Sequence, residues 1–286
     1  MSRLKEFPFE SHYQDVSGCR MHYLDEGEKK APALIFLHGV PTWSYTFRRI
    51  IPTCVNAGYR VVAPDLPGFG LSEKPMEKQL FTLKWLLEGI GEFIGIMNLE
   101  QPVLFAHDWG AIIGSLLTSE KENRFAGMIL CNGLLPVPGM KTPHLFRIWR
   151  LFAQISPVLP VGRIIDFGSK KRLSSIERRG YDFPFHSSRD KKAIRWMPQL
   201  LPIGKGHKDV QMVEDAWLNL DQWMKPLLTI FGNGDPITRG GERVLQRRIP
   251  GAKNQDHVLL KGGHFLQEDA PEDISRAIVG FMKKNR

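Results

Sequence analysis

The stretch VLFAHDWGAIIG, residues 103–114, passes from an apolar run (Val103 to Ala106) into small and apolar residues of helical character (Gly110 to Gly114), with a charged residue at the turn between them. Apolar run, sharp turn and helix is the pattern of a buried strand that delivers one side chain to the carboxyl end of a sheet. A carboxylate at that place, Asp108, needs a chemical reason, because an unpaired charge at a buried turn is costly.

Working outward, six further apolar runs flank this one: MHYLDEG (21–27), ALIFLHG (33–39), RVVAPDLPG (60–68), GMILCNG (127–133), PLLTIFGNGD (226–235) and DHVLLKGGH (256–264). They alternate with helical segments, which predicts an α/β fold with a mostly parallel sheet covered on both faces. From Asn132 to about Leu220 the pattern changes, and Pro136, Pro138, Pro143, Pro157 and Pro160 interrupt a helical, basic and aromatic segment without a core strand. This predicts a core formed by residues 1–132 and 223–286 with an inserted helical cap at 133–222.

At 286 residues, with 42% hydrophobic and 10% aromatic residues, the chain has the composition of a globular protein with a sizeable core. The opening residues MSRLKEFPFESHYQD carry charges throughout, so no secretory leader is expected, nor any membrane partner. Cys19, Cys54 and Cys131 lie far apart without metal-ligand spacing, which suits the cytoplasm, the periplasm standing as the alternative. No metal and no cofactor are expected. The 39 Lys and Arg against 30 Asp and Glu give a formal charge of +9, concentrated partly in SKKRLSSIERRG (169–180) and MKKNR (282–286). With no nucleic-acid motif beside it, this charge reads as a solvated basic face.

Polar groups collect at the strand ends, where open α/β sheets hold their ligands. They are HGVP at 38–41, Asp108, Asp235 in FGNGDPI and His264 in KGGHF. The order nucleophile, acid, histidine is that of the α/β-hydrolase fold, whose nucleophile occupies an elbow written G-x-S-x-G. Here the elbow reads Ala106-His107-Asp108-Trp109-Gly110, with aspartate in place of serine. A carboxylate attacks sp3 carbon bearing a leaving group and gives an ester that water can cleave. In the second step His264 would deprotonate water while Asp235 holds the imidazole, and the backbone N–H groups of Val40 and Trp109 would form the oxyanion hole. Such a donor is worth about 3 to 4 kcal/mol. His38, His107 and His257 read as structural or exposed.

The motifs HGVPTWSY, APDLPGFGLSEKP, HDWG, GDPI and GGHF together resemble the haloalkane dehalogenases of the α/β-hydrolase superfamily over nearly the whole chain. LFRIWRLFAQ (145–154) and GYDFPFHSSRDKKAIRWMPQLLPI (180–203) are similar to that family's cap, including a Tyr-Asp-x-Pro-Phe turn. The resemblance implies that Trp109 donates its indole N–H to the leaving halide. The family's second halide donor is either an asparagine after the HG motif, where this chain has Val40, or a cap tryptophan, for which Trp149 is the choice and Trp196 the runner-up. The family's acid follows either the sixth strand, where this chain has Asn132, or the seventh, where it has Asp235. Both differences indicate the branch with the cap tryptophan. The resemblance further implies a small halogenated alkane as substrate and water as co-substrate; a monomer is expected over an oligomer. The alternatives are an epoxide hydrolase, which would need two cap tyrosines where only Tyr181 falls, and a non-catalytic ligand-binding protein of the same fold.

Overall fold

In the computed structural model, which describes residues 4–120, 124–140, 142–203 and 206–285, the apolar runs pair into one eight-stranded sheet. Its strands are β1 (His12–Val16), β2 (Cys19–Glu26), β3 (Ala33–Leu37), β4 (Arg60–Pro64), β5 (Val103–His107), β6 (Gly127–Cys131), β7 (Leu227–Gly232) and β8 (Val258–Leu260), in the order β1-β2-β4-β3-β5-β6-β7-β8. The pairs β1–β2 and β2–β4 are antiparallel and the others parallel. Seven of these strands are the seven apolar runs. The eighth, β1, is the half-exposed edge segment HYQDV, whose polar residues give it no apolar signature.

The central strands alternate their side chains between two cores. Leu104 and Ala106 of β5, with Met128 and Leu130 of β6, face one side; Val103 and Phe105, with Ile129 and Cys131, face the other. All five residues of each strand are buried, as a sheet covered on both faces requires. Two loops at the carboxyl ends are tied together by buried polar bonds. Asp65 Oδ1 accepts from Ser44 N–H at 2.7 Å, and His38 Nε2 accepts from Leu66 N–H at 2.9 Å. These bonds hold the 38–45 turn against the segment after β4.

Between β6 and β7 the described residues form helices and no strand: His144–Ile155, Val161–Gly168, Ser175–Asp182, Lys192–Trp196 and Val210–Leu220, with short 3-10 turns. The last of them lies against the helix that follows β5, where Asn219 Nδ2 donates to Ser119 O at 3.0 Å. A buried ionic cluster joins the other side. Glu268, after β8, accepts from Arg48 Nη2 at 2.9 Å and from the Tyr181 hydroxyl of the helix Ser175–Asp182. All three side chains are fully buried. Of the basic stretches, 169–180 lies within this helical segment, and Arg286 of the second falls outside the described residues.

Candidate active site

Asp108 sits between β5 and the helix Trp109–Glu120 with φ at +49°. That left-handed conformation costs a non-glycine residue energy and persists only where its surroundings enforce it. The enforcement is close packing of the backbone. A Cβ on Gly39 would fall 2.6 Å from the Asp108 Cβ, and one on Gly110 would fall 2.2 Å from Leu37 O. The elbow thus fits only because both neighbours lack side chains. Asp108 Oδ2 accepts from Val40 N–H at 3.0 Å. The Trp109 amide, first of its helix, has no intrahelical acceptor to turn to.

His264 follows β8, and its Nε2 lies 3.6 Å from Asp108 Oδ1 while its Nδ1 lies 3.1 Å from Asp235 Oδ2. Asp235, fully buried after β7, also accepts from Thr238 Oγ1 and, through Oδ1, from Ile237 N–H at 2.8 Å. The three residues that sequence reading places at three strand ends therefore converge on one point. The main chain at His264 is held from several directions. Its N–H donates to Gly168 O at 2.8 Å, and its carbonyl accepts from Asn132 Nδ2 at 2.9 Å and from His107 Nε2 at 2.9 Å. Because a carbonyl only accepts, His107 carries its proton on Nε2.

The charges set one another. Burial opposes an imidazolium at His264, but the Asp235 carboxylate, with Asp108 adding to it, raises the ring to about 10. For Asp108 and Asp235 burial works toward neutrality, and the bonds and charge of His264 outweigh it, so both carboxyls are held below their ordinary value. His107 moves the other way: burial, and then the neighbouring His264 charge, lower it to about 4. In the resting site His264 is a cation between two carboxylates, and His107 is neutral.

A cavity of about 590 Å³ opens above this group. Its floor includes Val40, Asp108, Trp109 and His264, and its far wall includes Phe146 and Trp149 from the helix His144–Ile155. Trp109 is buried and Trp149 half-buried. Trp196 is elsewhere, packed on Phe81 at 5.7 Å between ring centroids and lining a separate surface depression with Lys78 and Gln199. Tyr181 is fully buried and commits its hydroxyl to Glu268. Among the described residues no tyrosine lines the cavity.

Sequence reading misses the supports of the site. Asn132, at φ +38°, donates to Gly263 O at 2.8 Å and to His264 O, and accepts from Gly232 N–H at 2.7 Å. It joins the β6, β7 and β8 ends. Asp269 accepts from Gly263 N–H at 2.6 Å and from the amides of Lys170 and Lys171 at 2.9 and 2.7 Å. A polar residue at each sheet end is visible in the sequence; which backbone groups it meets depends on strand order, which is not.

A family model described as alpha/beta hydrolase fold matches residues 32–271. The chain is 39% identical over 285 residues to a haloalkane dehalogenase of Mycolicibacterium paratuberculosis, covering 98% of this chain and 95% of that protein. It is 37% identical over 290 residues to a haloalkane dehalogenase of Psychrobacter cryohalolentis, covering 99% and 96%. Among solved structures, the tetrameric haloalkane dehalogenase DpaA of Paraglaciecola agarilytica superposes with a TM-score of 0.89 at 28% identity, covering 96% of this chain and 93% of that one. Identity at this level over nearly the full length, on the same fold, makes this chain a member of the haloalkane dehalogenases within the α/β-hydrolase fold family.

Proposed function

We propose that this dehalogenase works through a covalent ester on Asp108. Asp108 Oδ2 is engaged by Val40 N–H, and Oδ1, which faces His264 Nε2 at 3.6 Å, is the oxygen that attacks. Oδ1 displaces halide from the carbon of a haloalkane; the C–O bond forms as the C–X bond breaks, and halide leaves with the bonding pair. Trp109 and Trp149 present indole N–H donors to that developing charge from the floor and the wall of one cavity. A cationic donor there would pair with Asp108 and blunt its attack.

Alkylation converts Asp108 from an anion to a neutral ester and so removes one of the two carboxylates that hold the proton on His264. The ring then releases that proton to solvent and, neutral, becomes a base at the moment one is needed. It takes a proton from water as the oxygen adds to the ester carbonyl. The oxyanion then sits where Oδ2 now meets Val40 N–H, with the Trp109 amide as second donor. On collapse the imidazolium gives its proton to the departing alkoxide, the alcohol leaves, and the Asp108 carboxyl returns its own proton to the ring, restoring the resting pair; Asp235 stabilises the imidazolium each time it forms.

The helical segment 133–222 serves as the cap, with the helix Val210–Leu220 as the leg that seats it on the core. Every group named lies in one chain, which supports a monomer as the working unit; the three cysteines are buried and free, which supports the cytoplasm.

The observation that carries this reading is the strained carboxylate elbow facing His264 under a cavity with two tryptophans. Halide release from 1-bromobutane and 1,2-dibromoethane, measured beside styrene oxide hydrolysis, tests it. Bromide release without diol formation is expected; diol without bromide would move the chain to the epoxide hydrolases.

A further inference from the structure

The helix His144–Ile155 has an unusual surface. Only Phe146 and Ala153 are buried. Leu145, Ile148, Phe152 and Ile155, spaced to lie along one face, are exposed, Ile155 by 67%. Leu151, Val158 and Phe167 extend the exposed apolar surface, Phe167 by 87%. Leu145, Ile148, Phe152 and Phe167 also line the cavity, so this face surrounds its mouth. A contiguous apolar patch around an opening is an interaction surface rather than ordinary scatter.

The charge around the patch is one-sided. Residues 133–172 contain seven Lys and Arg and a single acid, Asp166. That acid is engaged by Leu173 N–H at 2.7 Å and by Arg178 at 3.3 Å. Arg147, Arg150, Arg163 and Lys170 are exposed, and among the described residues the side chains of these four have no ion pair or hydrogen bond. Among the described residues no helix is long and apolar enough to cross a membrane. The combination of an exposed apolar stripe with unpaired cations beside it is that of a helix that lies in an interface rather than spanning it. A second copy of the chain would bring the same excess of cations against itself and be repelled.

We infer that the cap face formed by His144–Ile155, Val158 and Phe167 docks on an anionic lipid surface, with the cavity mouth opening toward the bilayer. This departs from the expectation of no membrane partner. Apolar haloalkanes partition into lipid, so a mouth held there would draw substrate from the phase that concentrates it.

Sedimentation of the full chain with vesicles tests the inference. Vesicles of phosphatidylcholine with phosphatidylglycerol are expected to bind it at low salt, and phosphatidylcholine alone to bind at least tenfold less. Arg147→Gln with Arg150→Gln should weaken binding roughly tenfold or more, and Leu151→Ser with Ile155→Ser should weaken it in salt-independent fashion. Neither pair lines the cavity, so halide release in solution should be unchanged. Shallow doxyl-labelled lipid in anionic vesicles should quench part of the wild-type tryptophan fluorescence, to which Trp149 at the cavity contributes, a measurement that needs no variant. Equal binding to both vesicle types, binding unaffected by either pair, or absence of binding and quenching would overturn the inference. So would a dimer on size exclusion that Leu151→Ser with Ile155→Ser dissolves without any vesicle binding, since a second copy would then be the occupant.

Discussion

The two sides of the cavity are built by opposite means. On the sheet side every reacting group is fixed by backbone. Asp108 is locked at positive φ against Gly39 and Gly110, and His264 is bonded through its N–H, its carbonyl and its Nδ1, with Nε2 turned to Asp108. On the helical side, His144–Ile155 buries two residues and offers the cavity apolar side chains that almost nothing else holds. Covalent chemistry demands placement within fractions of an ångström. A substrate chain and a departing halide demand only a dry volume and a donor or two. The division predicts large losses from small changes on the sheet side and graded losses on the other.

The largest effect is expected at Asp235. Asp235→Asn keeps the shape but removes the charge that stabilises imidazolium and fixes the tautomer, so steady-state turnover should fall by about 10⁴-fold with alkylation retained. A loss under tenfold would remove Asp235 from the mechanism. Asn132→Asp is not expected to rescue it, because the Asn132 amide already spends its donors on Gly263 and His264 carbonyls, which a carboxylate would repel.

The joint between the two sides should come next. Glu268→Gln removes the buried carboxylate nearest Arg48, leaving only Glu6 at 3.5 Å and Glu177 at 3.9 Å to face it, and is expected to cost about 3 kcal/mol in denaturant unfolding. A change under 1 kcal/mol would mean that the cluster is not what fastens the helices to the core.

On the helical side, Trp149→Phe removes one donor to an anion and should slow dehalogenation by about 10- to 100-fold, while weakening saturable quenching of tryptophan fluorescence by bromide. Trp196→Phe, away from the cavity, should do neither. If the two behave the other way round, the cavity wall has been assigned to the wrong tryptophan.

The smallest effect is in pH. His264 stands at about 10 in the fold against an ordinary 6.5. Its contribution to stability is therefore complete below about pH 6.5 and is lost as pH rises through 10. Between pH 7 and 10 the wild type should lose more stability than His264→Phe, measured by urea unfolding across that range. Parallel curves would contradict the charged resting state.

How much of this is legible in the sequence follows the same division. The strands announce themselves because strands buried on both faces are apolar throughout, as in Val103–His107. The edge strand His12–Val16 does not, since half its side chains meet water. Asp108, Asp235 and His264 stand out because a turn after an apolar run is a place where a charge needs a reason. Trp149 is harder: a tryptophan on an amphipathic helix looks the same whether it packs in a core or lines a cavity, and tertiary placement alone separates it from Trp196. Asn132, His107 and Asp269 stay hidden because their partners are main-chain atoms on other strands, and backbone carries no sequence label.

The covalent ester is the centre of the account, and it can be trapped. In His264→Phe, formation of the ester needs no base but its hydrolysis does, slowing the second step by about 10² to 10⁴-fold. Intact-mass spectrometry after incubation with 1-bromobutane should then show one added butyl group, and peptide mapping should place it on Asp108. A folded His264→Phe protein that stays unmodified, or carries its butyl group on any residue other than Asp108, would contradict the mechanism.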